Sequence, residues 1–423
     1  MNSKRKKIAI IGSGISGMGA AHLLTPHHDI TVFEKNDYIG GHSRTVIVPT
    51  PEGNVPVDTG FIVFNERNYP LLTRLFRHLD VPVTKSDMSF GASIGNGWLE
   101  YGTQNLHNIF AQKRNLLRPA FWRMMRDVFH FHARAGGYMH HSANYTMADC
   151  LHDLRMGEWF RQYFLLAMGG AIWSTPTREM MKFPASTLIR FFDNHGLLSI
   201  NDQPQWYTVR GGSREYVTRL TASFQDRIRL RSPVQRVQRT DNHVHVIHGT
   251  ENTAETFDEV IFACHSDQAL AMIESPTADE YKILSACRYQ ANRAVLHSDI
   301  SFMPQRKNAW ASWVYLSDGR VDNRNNVSLS YWMNNLQPLE TTQPMIVTLN
   351  PAREPAAELL HDDYWFEHPV FDAAAIHHQN EIPRIQGTDR LWFCGAWQRY
   401  GFHEDGLGSA VALAQQMGIS PSW

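Results

Sequence analysis

Apolar positions come in short bursts at the start of the chain. Ile8-Ala9-Ile10-Ile11 is a continuous run of strand length that stops at Gly12. Ile15, Met18, Ala21, Leu23 and Leu24 then recur at helical spacing until Pro26, and Ile30-Thr31-Val32-Phe33 forms a second apolar run. The pattern predicts strand, helix and strand over 8–34. A helix is expected over 67–80, with Leu71, Leu72, Leu75, Phe76 and Leu79 on one face. Residues 87–101 read as paired strands around Gly95-Asn96-Gly97. Residues 104–195 read as mostly helical and dense in aromatic residues. A helix near 214–224 follows Gly211-Gly212, and two short strands are expected at 228–230 and 243–247, with Val234–Val237 between them. Asp258 to Ala263 reads as a buried strand with polar flanks. Alternation returns at 292–298, 310–316, 327–333 and 345–349. The chain closes with a strand at Leu391-Trp392-Phe393 and a helix near 409–417. There is no internal repeat and no low-complexity linker.

Composition narrows this only a little. A chain of 423 residues suggests two or three domains, and 43% apolar residues suffice for large cores. The formal net charge of −1 offers no overall electrostatic case for nucleic-acid binding. Cys150, Cys264, Cys287 and Cys394 lie far apart, so neither a disulfide framework nor a zinc site is expected, and a reducing cytoplasm fits. Lys4-Arg5-Lys6-Lys7 before apolar residues imitates a secretion signal, but Gly12-Ser13-Gly14 breaks the apolar core. No run of about 18 apolar residues predicts a membrane span. His130-x-His132, His140-His141 and His377-His378 attract a metal reading. No carboxylate or cysteine pattern completes a site, so no metal is expected.

The chemistry lies at the end of the first strand. Gly12-Ser13-Gly14-Ile15-Ser16-Gly17 is a G-x-G-x-x-G between strand and helix, and Glu34 falls 22 residues past Gly12. Gly12 suits a tight turn, Gly14 lets backbone approach a pyrophosphate, and Gly17 lets the helix pack close to the strand. The helix N-terminus faces the phosphates, and Glu34 suits the ribose hydroxyls. Gly40-Gly41-His42-Ser43-Arg44-Thr45 repeats the logic, with Arg44 placed to add a contact to an anion. Val57-Asp58-Thr59-Gly60-Phe61 is another close approach. Gly395, then Gly401 to Ala410, reads again as strand, glycine turn and helix N-terminus.

These motifs together resemble the flavin-containing amine oxidase and phytoene desaturase superfamily. Its members share the N-terminal glycine loop, a G-G-[RH]-x-x-T motif after the ribose acid, and a C-terminal F-x-G…E-G-x-x-x-[SA]-G region. Gly12, Gly14, Gly17, Glu34, Gly40, Gly41, Thr45, Phe393, Gly395 and Glu404 to Ala410 carry the match; Pro233-Val234 and Asp258 to Ala263 extend it. The resemblance implies an α/β fold with a Rossmann-type, glutathione-reductase-like FAD-binding domain and a discontinuous α+β substrate domain. The first is expected over 1–85, 204–275 and 385–423, and the second over 86–203 and 276–384. It implies FAD contacts at Gly12, Gly14, Ser16, Gly17, Glu34, Lys35, Gly41, His42, Ser43, Gly60, Phe61, Val234, Gly395, Gly406 and Leu407. Glu404-Asp405-Gly406-Leu407 replaces the usual E-G-A-V, which leaves its register open by one residue. The stretch 373–380 has no cysteine for a flavin link, so FAD is expected to be non-covalent. No second G-x-G-x-x-G is present. Electrons are therefore expected to come from the substrate and pass to oxygen, a quinone or a carrier protein.

The other half of the chain must supply the substrate site. Residues 105–134 carry Lys113, Arg114, Arg118, Arg123, Arg126 and Arg134 against one acid, Asp127, with aromatic residues interleaved. The favoured reading is a helix with one core face and one solvated basic face; the other is a helix lying on an anionic membrane. Trp159, Phe160, Tyr163, Phe164, Leu165, Leu166, Met168 and Trp173 are core residues or the lining of an acyl tunnel. The resemblance puts Trp397, Tyr400 and His403 beside the flavin ring. His403 reads first as a residue bonded to backbone near the pyrophosphate, with a proton acceptor as the other reading; Lys307 reads first as a solvated loop residue, with the counterpart of a water-holding lysine as the other. The leading expectation is oxidation or desaturation of an apolar substrate, a lipid acyl chain. The alternative is an amine oxidase producing imine and hydrogen peroxide, with Trp397 and Tyr400 as an aromatic cage.

Overall fold

The computed structural model describes residues 5–142, 144–173, 181–194, 198, 204–317 and 328–423. The helical reading of 104–195 includes residues 143, 174–180 and 195, which lie outside the described residues, as does the side chain of Trp173.

The apolar run Lys7–Ile11 is the middle strand of a five-stranded parallel sheet. Asp29–Phe33 and then Ile228–Arg229 lie on one side of it; Glu259–Phe262 and then Leu391–Phe393 lie on the other. Strand order therefore reverses at Lys7–Ile11. A crevice forms there, beyond the carboxyl ends of the strands. The helix Ile15–Leu24 is buried on nearly every side. It is covered by the helix Arg214–Thr221 and the closing helix His403–Gln416. That burial explains why its sequence is apolar all round rather than amphipathic.

Strands from 86–203 and 276–384 build a seven-stranded sheet. Its order is Leu360–Val370, Arg288–His297, Ile346–Leu349, Ser328–Trp332, Trp313–Ser317, Phe90–Ile94 and Leu99–Gly102. A large core beneath it contains Phe121, Met124, Phe131, Phe160 and Phe192.

Three features depart from the pattern reading. The helix expected over 67–80 is Pro70–His78, because Pro70 opens its first turn. The closing helix starts at His403, well before residue 409. The 11-residue strand Leu360–Val370 was not foreseen. Its inward side chains, Asp362, Tyr364, Phe366 and His368, mix charge with aromatic character and give no apolar alternation. Among the described residues no helix is long and apolar enough to cross a membrane.

Candidate active site

The site grows from the turn after the first strand. Gly12 has φ +107°, and a Cβ there would lie 2.7 Å from the Ala263 carbonyl oxygen. A Cβ on Gly17 would lie 1.9 Å from the Gly12 carbonyl oxygen, so only glycine lets the helix approach. At Gly14 nothing lies within 4 Å of where a Cβ would be. That opening faces the helix N-terminus, where a phosphate is favoured by free N–H groups and the helix dipole. Glu34 is buried. One of its oxygens accepts from Ser13 N–H (3.0 Å) and Ser13 Oγ–H (2.6 Å), the other from Asn36 N–H (2.8 Å). Lys35 next to it is exposed, and its charge helps lower the pKa of His265. Val234 opens a strand of the separate three-stranded sheet and is half-buried.

The second glycine pair packs on the first. Gly40 N–H donates to Ser13 O (3.1 Å), and a Cβ on Gly41 would lie 3.1 Å from Gly14 Cα. His42 follows, half-buried, with its ring 4.9 Å from Phe366 and 5.2 Å from His368. Burial holds its pKa well below the usual value, and its Nε2 has no hydrogen-bond partner. Phe61 N–H donates to His42 O (2.8 Å), an approach that requires glycine at 60. The Phe61 ring stacks on His403, centroids 3.9 Å apart and planes at 13°.

His403 heads the closing helix. Its Nε2 lies 2.7 Å from Tyr216 OH and 2.9 Å from Ser43 Oγ, and those two hydroxyls also bond each other. Burial pushes the ring down to about 3. Next in sequence, Glu404 turns away: its two oxygens accept from Leu71 N–H (2.8 Å) and Leu72 N–H (3.0 Å). It caps the helix Pro70–His78 from outside. Gly406 instead faces the first helix, where a Cβ would lie 2.8 Å from Ile15 Cγ2 and 2.9 Å from Ser16 Oγ. The register left open in the sequence is therefore fixed by Gly406, and Asp405 takes the place of the usual glutamate. Leu407 points into the core against Gly19, and Gly395 N–H is taken by Ser409 Oγ (2.9 Å).

A profile of the flavin-containing amine oxidoreductase family matches residues 15–295, about two thirds of the chain. This chain belongs to that family. A search of curated protein sequences finds no match. Among solved structures, the CLA-producing fatty acid isomerase from P. acnes superposes with a TM-score of 0.67 at 15% identity, covering 98% of this chain and 99% of that one. Cyclohexylamine oxidase from Brevibacterium oxydans IH-35A superposes with a TM-score of 0.67 at 17% identity, covering 98% and 100%. A reduced UDP-galactopyranose mutase gives 0.66 at 14%, covering 98% and 94%. At these identities the likeness concerns the fold.

The flavin-containing amine oxidoreductase fold accounts for the features above. The chain is an FAD-dependent oxidoreductase. The opening at Gly14, the two helix N-termini and the orphaned Nε2 of His42 are what an enclosed dinucleotide would fill and satisfy.

Four sequence expectations are corrected. Lys307 is exposed in a turn beside Lys113, Arg114 and Arg306, at the Leu99–Gly102 edge of the seven-stranded sheet. His368 and Phe366, beside His42, lie on the opposite edge strand, so Lys307 is remote from the glycine motifs. Trp397 is buried in the core, donating to Cys264 O (3.2 Å), and forms no cage with Tyr400, which lines a cavity. Arg44 is held by Asp362 through two hydrogen bonds (2.5 and 2.9 Å) and lies over Tyr364. Its guanidinium is thus already engaged by a carboxylate. His403, at about 3, does not take a proton near neutral pH.

Several partners went unnoticed in the sequence. Asp58 is buried and accepts from Thr45 Oγ, Ser213 N–H, Ser213 Oγ and Gln337 Nε2, tying the glycine motifs to the seven-stranded sheet. Asn350 donates to Asn292 Oδ1 (2.8 Å), which turns Asn292 Nδ2 toward His368 Nδ1 (2.8 Å). His368, held near 4 by burial, therefore keeps its proton on Nε2. The fold also brings Glu381 to His377 and His378, with ligand atoms within 4.8 Å. Lys282 (3.1 Å) and Arg384 (3.3 Å) both hold its Oε1, while Oε2, 3.5 Å from His378 Nε2, has no hydrogen-bond partner among the described residues.

Proposed function

We propose that the substrate is a lipid acyl chain, oxidised or desaturated at a C–H bond beside the flavin. The observation that carries this reading is a cavity of about 350 Å³ bounded by His368, Tyr400, Glu404 and Asp405. Phe183, Leu188, Val370, Phe371, Ile376 and Phe402 make its walls apolar, while Arg190 and Arg399 line it as exposed cations. An apolar wall with cations beside it suits a chain with a carboxylate or phosphate end.

FAD, when bound, supplies the two-electron acceptor for the hydride. We assign its dinucleotide part to Gly12, Gly14, Ser16, Gly17, Glu34 and Lys35, and its ring end to Gly41, His42, Ser43, Gly60, Phe61, Gly406 and the Leu407 backbone. Binding is non-covalent in this reading: Cys394 is fully buried with its thiol pushed up by burial. His403 is a positioning residue, fixed by Phe61, Ser43 and Tyr216. His368 offers an Nε2–H donor to the cavity. The substrate proton leaves to water through the cavity, because Glu404 and Asp405 are held by backbone N–H groups. Oxygen, a quinone or a carrier protein then takes the electrons.

One observation favours a second reading. Glu404 and Asp405 at the cavity could attract an ammonium, as an amine oxidase requires. Anaerobic mixing of the yellow holoprotein with fatty acids, phospholipids and a panel of amines decides between them. Bleaching of the flavin by lipid alone supports the acyl reading. Bleaching by amines alone, with peroxide on admitting air, replaces it.

A further inference from the structure

We infer that the face formed by residues 106–129 and 305–308 docks on an anionic lipid bilayer. The helix Pro119–Arg134 buries Phe121, Met124, Val128 and Phe131 but leaves Trp122 (50%) and Phe129 (56%) exposed. These two lie seven residues apart, so they share one face two turns from each other. Leu106 (73%) and Leu117 (87%) project nearby. The patch is continuous: Trp122 Nε1–H donates to Leu116 O (2.9 Å), and the Phe110 ring lies 5.2 Å from the Trp122 ring. Asn108 Nδ2 donates to Asn308 O (2.8 Å), which joins the second segment. Large exposed apolar side chains on one face mark an interaction surface.

The charges around the patch select the occupant. Lys113, Arg114 and Lys307 line one hollow on this face, and Arg118, Arg123 and Arg126 lie on the same helix and its cap as Trp122, Arg126 being paired with Asp127. The acid in 105–134, Asp127, is buried and held by Arg126 and Gly157 N–H. Apolar side chains with cations beside them match the interface of a membrane with anionic headgroups. Each Lys or Arg near such a surface strengthens binding about fivefold. The same helix ends at the turn Ala135–Tyr138, which packs on the cavity-lining helix Ala185–Asn194. The docking face and the cavity are therefore joined by packed elements. The inference does not depend on the acyl reading, because vesicle binding is measured without turnover.

The test uses FAD-loaded protein sedimented with vesicles of phosphatidylcholine alone, or with about one third phosphatidylglycerol. Binding at least about tenfold tighter to the anionic vesicles, and weakened by high salt, is expected. Leu117→Glu with Phe129→Glu should weaken it about tenfold, and separately Lys113→Glu with Arg123→Glu at least about 25-fold, at unchanged flavin content. Equal binding to both vesicles, binding to neither, or variants that bind like the parent would overturn the proposal. So would self-association that Leu117→Glu abolishes without any vesicle binding, which assigns the face to a second copy. The salt and lipid comparisons on the unaltered protein stand even where a variant fails to fold.

Discussion

Gly14 and Gly17 stand three residues apart and answer to different neighbours. Gly17 faces protein, with the Gly12 carbonyl 1.9 Å from a would-be Cβ, whereas Gly14 faces open space. Gly17→Ala should therefore prevent folding, seen as loss of soluble protein or of the cooperative melt. Gly14→Val should fold with little change in melting temperature and lose FAD. A flavin-to-protein absorbance ratio equal to the parent's in Gly14→Val would contradict the assignment of the pyrophosphate loop. His403 makes a second case. Burial leaves its pKa near 3, so the rate of flavin reduction should carry no ionisation of this ring between pH 6 and 8. A pH break near 6.5 that disappears in His403→Phe would restore it as a base. Both glycines were legible in the sequence because their spacing encodes backbone contacts made within one turn. The His403 environment was not, because Phe61, Ser43 and Tyr216 come from distant segments.

At the scale of elements, the closing helix and the strand Leu360–Val370 make the site. Glu404 holds the helix Pro70–His78 by its first two N–H groups, those of Leu71 and Leu72. Glu404→Ala removes both acceptors and should cost about 1–2 kcal/mol, in the range of a lost helix cap. Thermal melting of the apo form reads this loss; an unchanged melt would mean that water replaces the carboxylate at no cost. The strand Leu360–Val370 escaped the sequence reading for a physical reason. One side presents Asp362, Tyr364, Phe366 and His368 to a polar site, and the other leaves Asp363, Trp365 and Glu367 exposed or ion-paired. Alternation exists but not in hydrophobicity, so a period of two is invisible there. The first strand-helix-strand unit was legible throughout, since its partners lie close in sequence and its strands are buried on both faces.

For the whole molecule, the flavin region gathers half-buried neutral histidines. His265 and His368 are held near 4, His403 near 3, and His42 well below its usual value, each chiefly by burial. A lowered folded pKa means that the unfolded chain takes up the proton first as pH falls. Stability should therefore drop on going from pH 7 to pH 5, by about 2 kcal/mol for each histidine that stays neutral in the fold. Melting of the apo protein across that range should show the fall, and His368→Phe should lessen it by about 2 kcal/mol, leaving the share of the other three. A melt independent of pH would mean that the cluster is hydrated and protonates freely. The family and its cofactor follow from motifs at the two ends of the chain, but substrate choice rests on side chains gathered from residues 183–190, 368–376 and 399–405. The most direct measurement is an anaerobic single turnover of the holoprotein with a fatty-acyl lipid, followed by the mass of the extracted chain. The account predicts bleaching of the flavin and a product lighter by two hydrogens or otherwise oxidised by two electrons. An unchanged mass with the flavin still oxidised, while an amine bleaches it, would contradict the acyl reading.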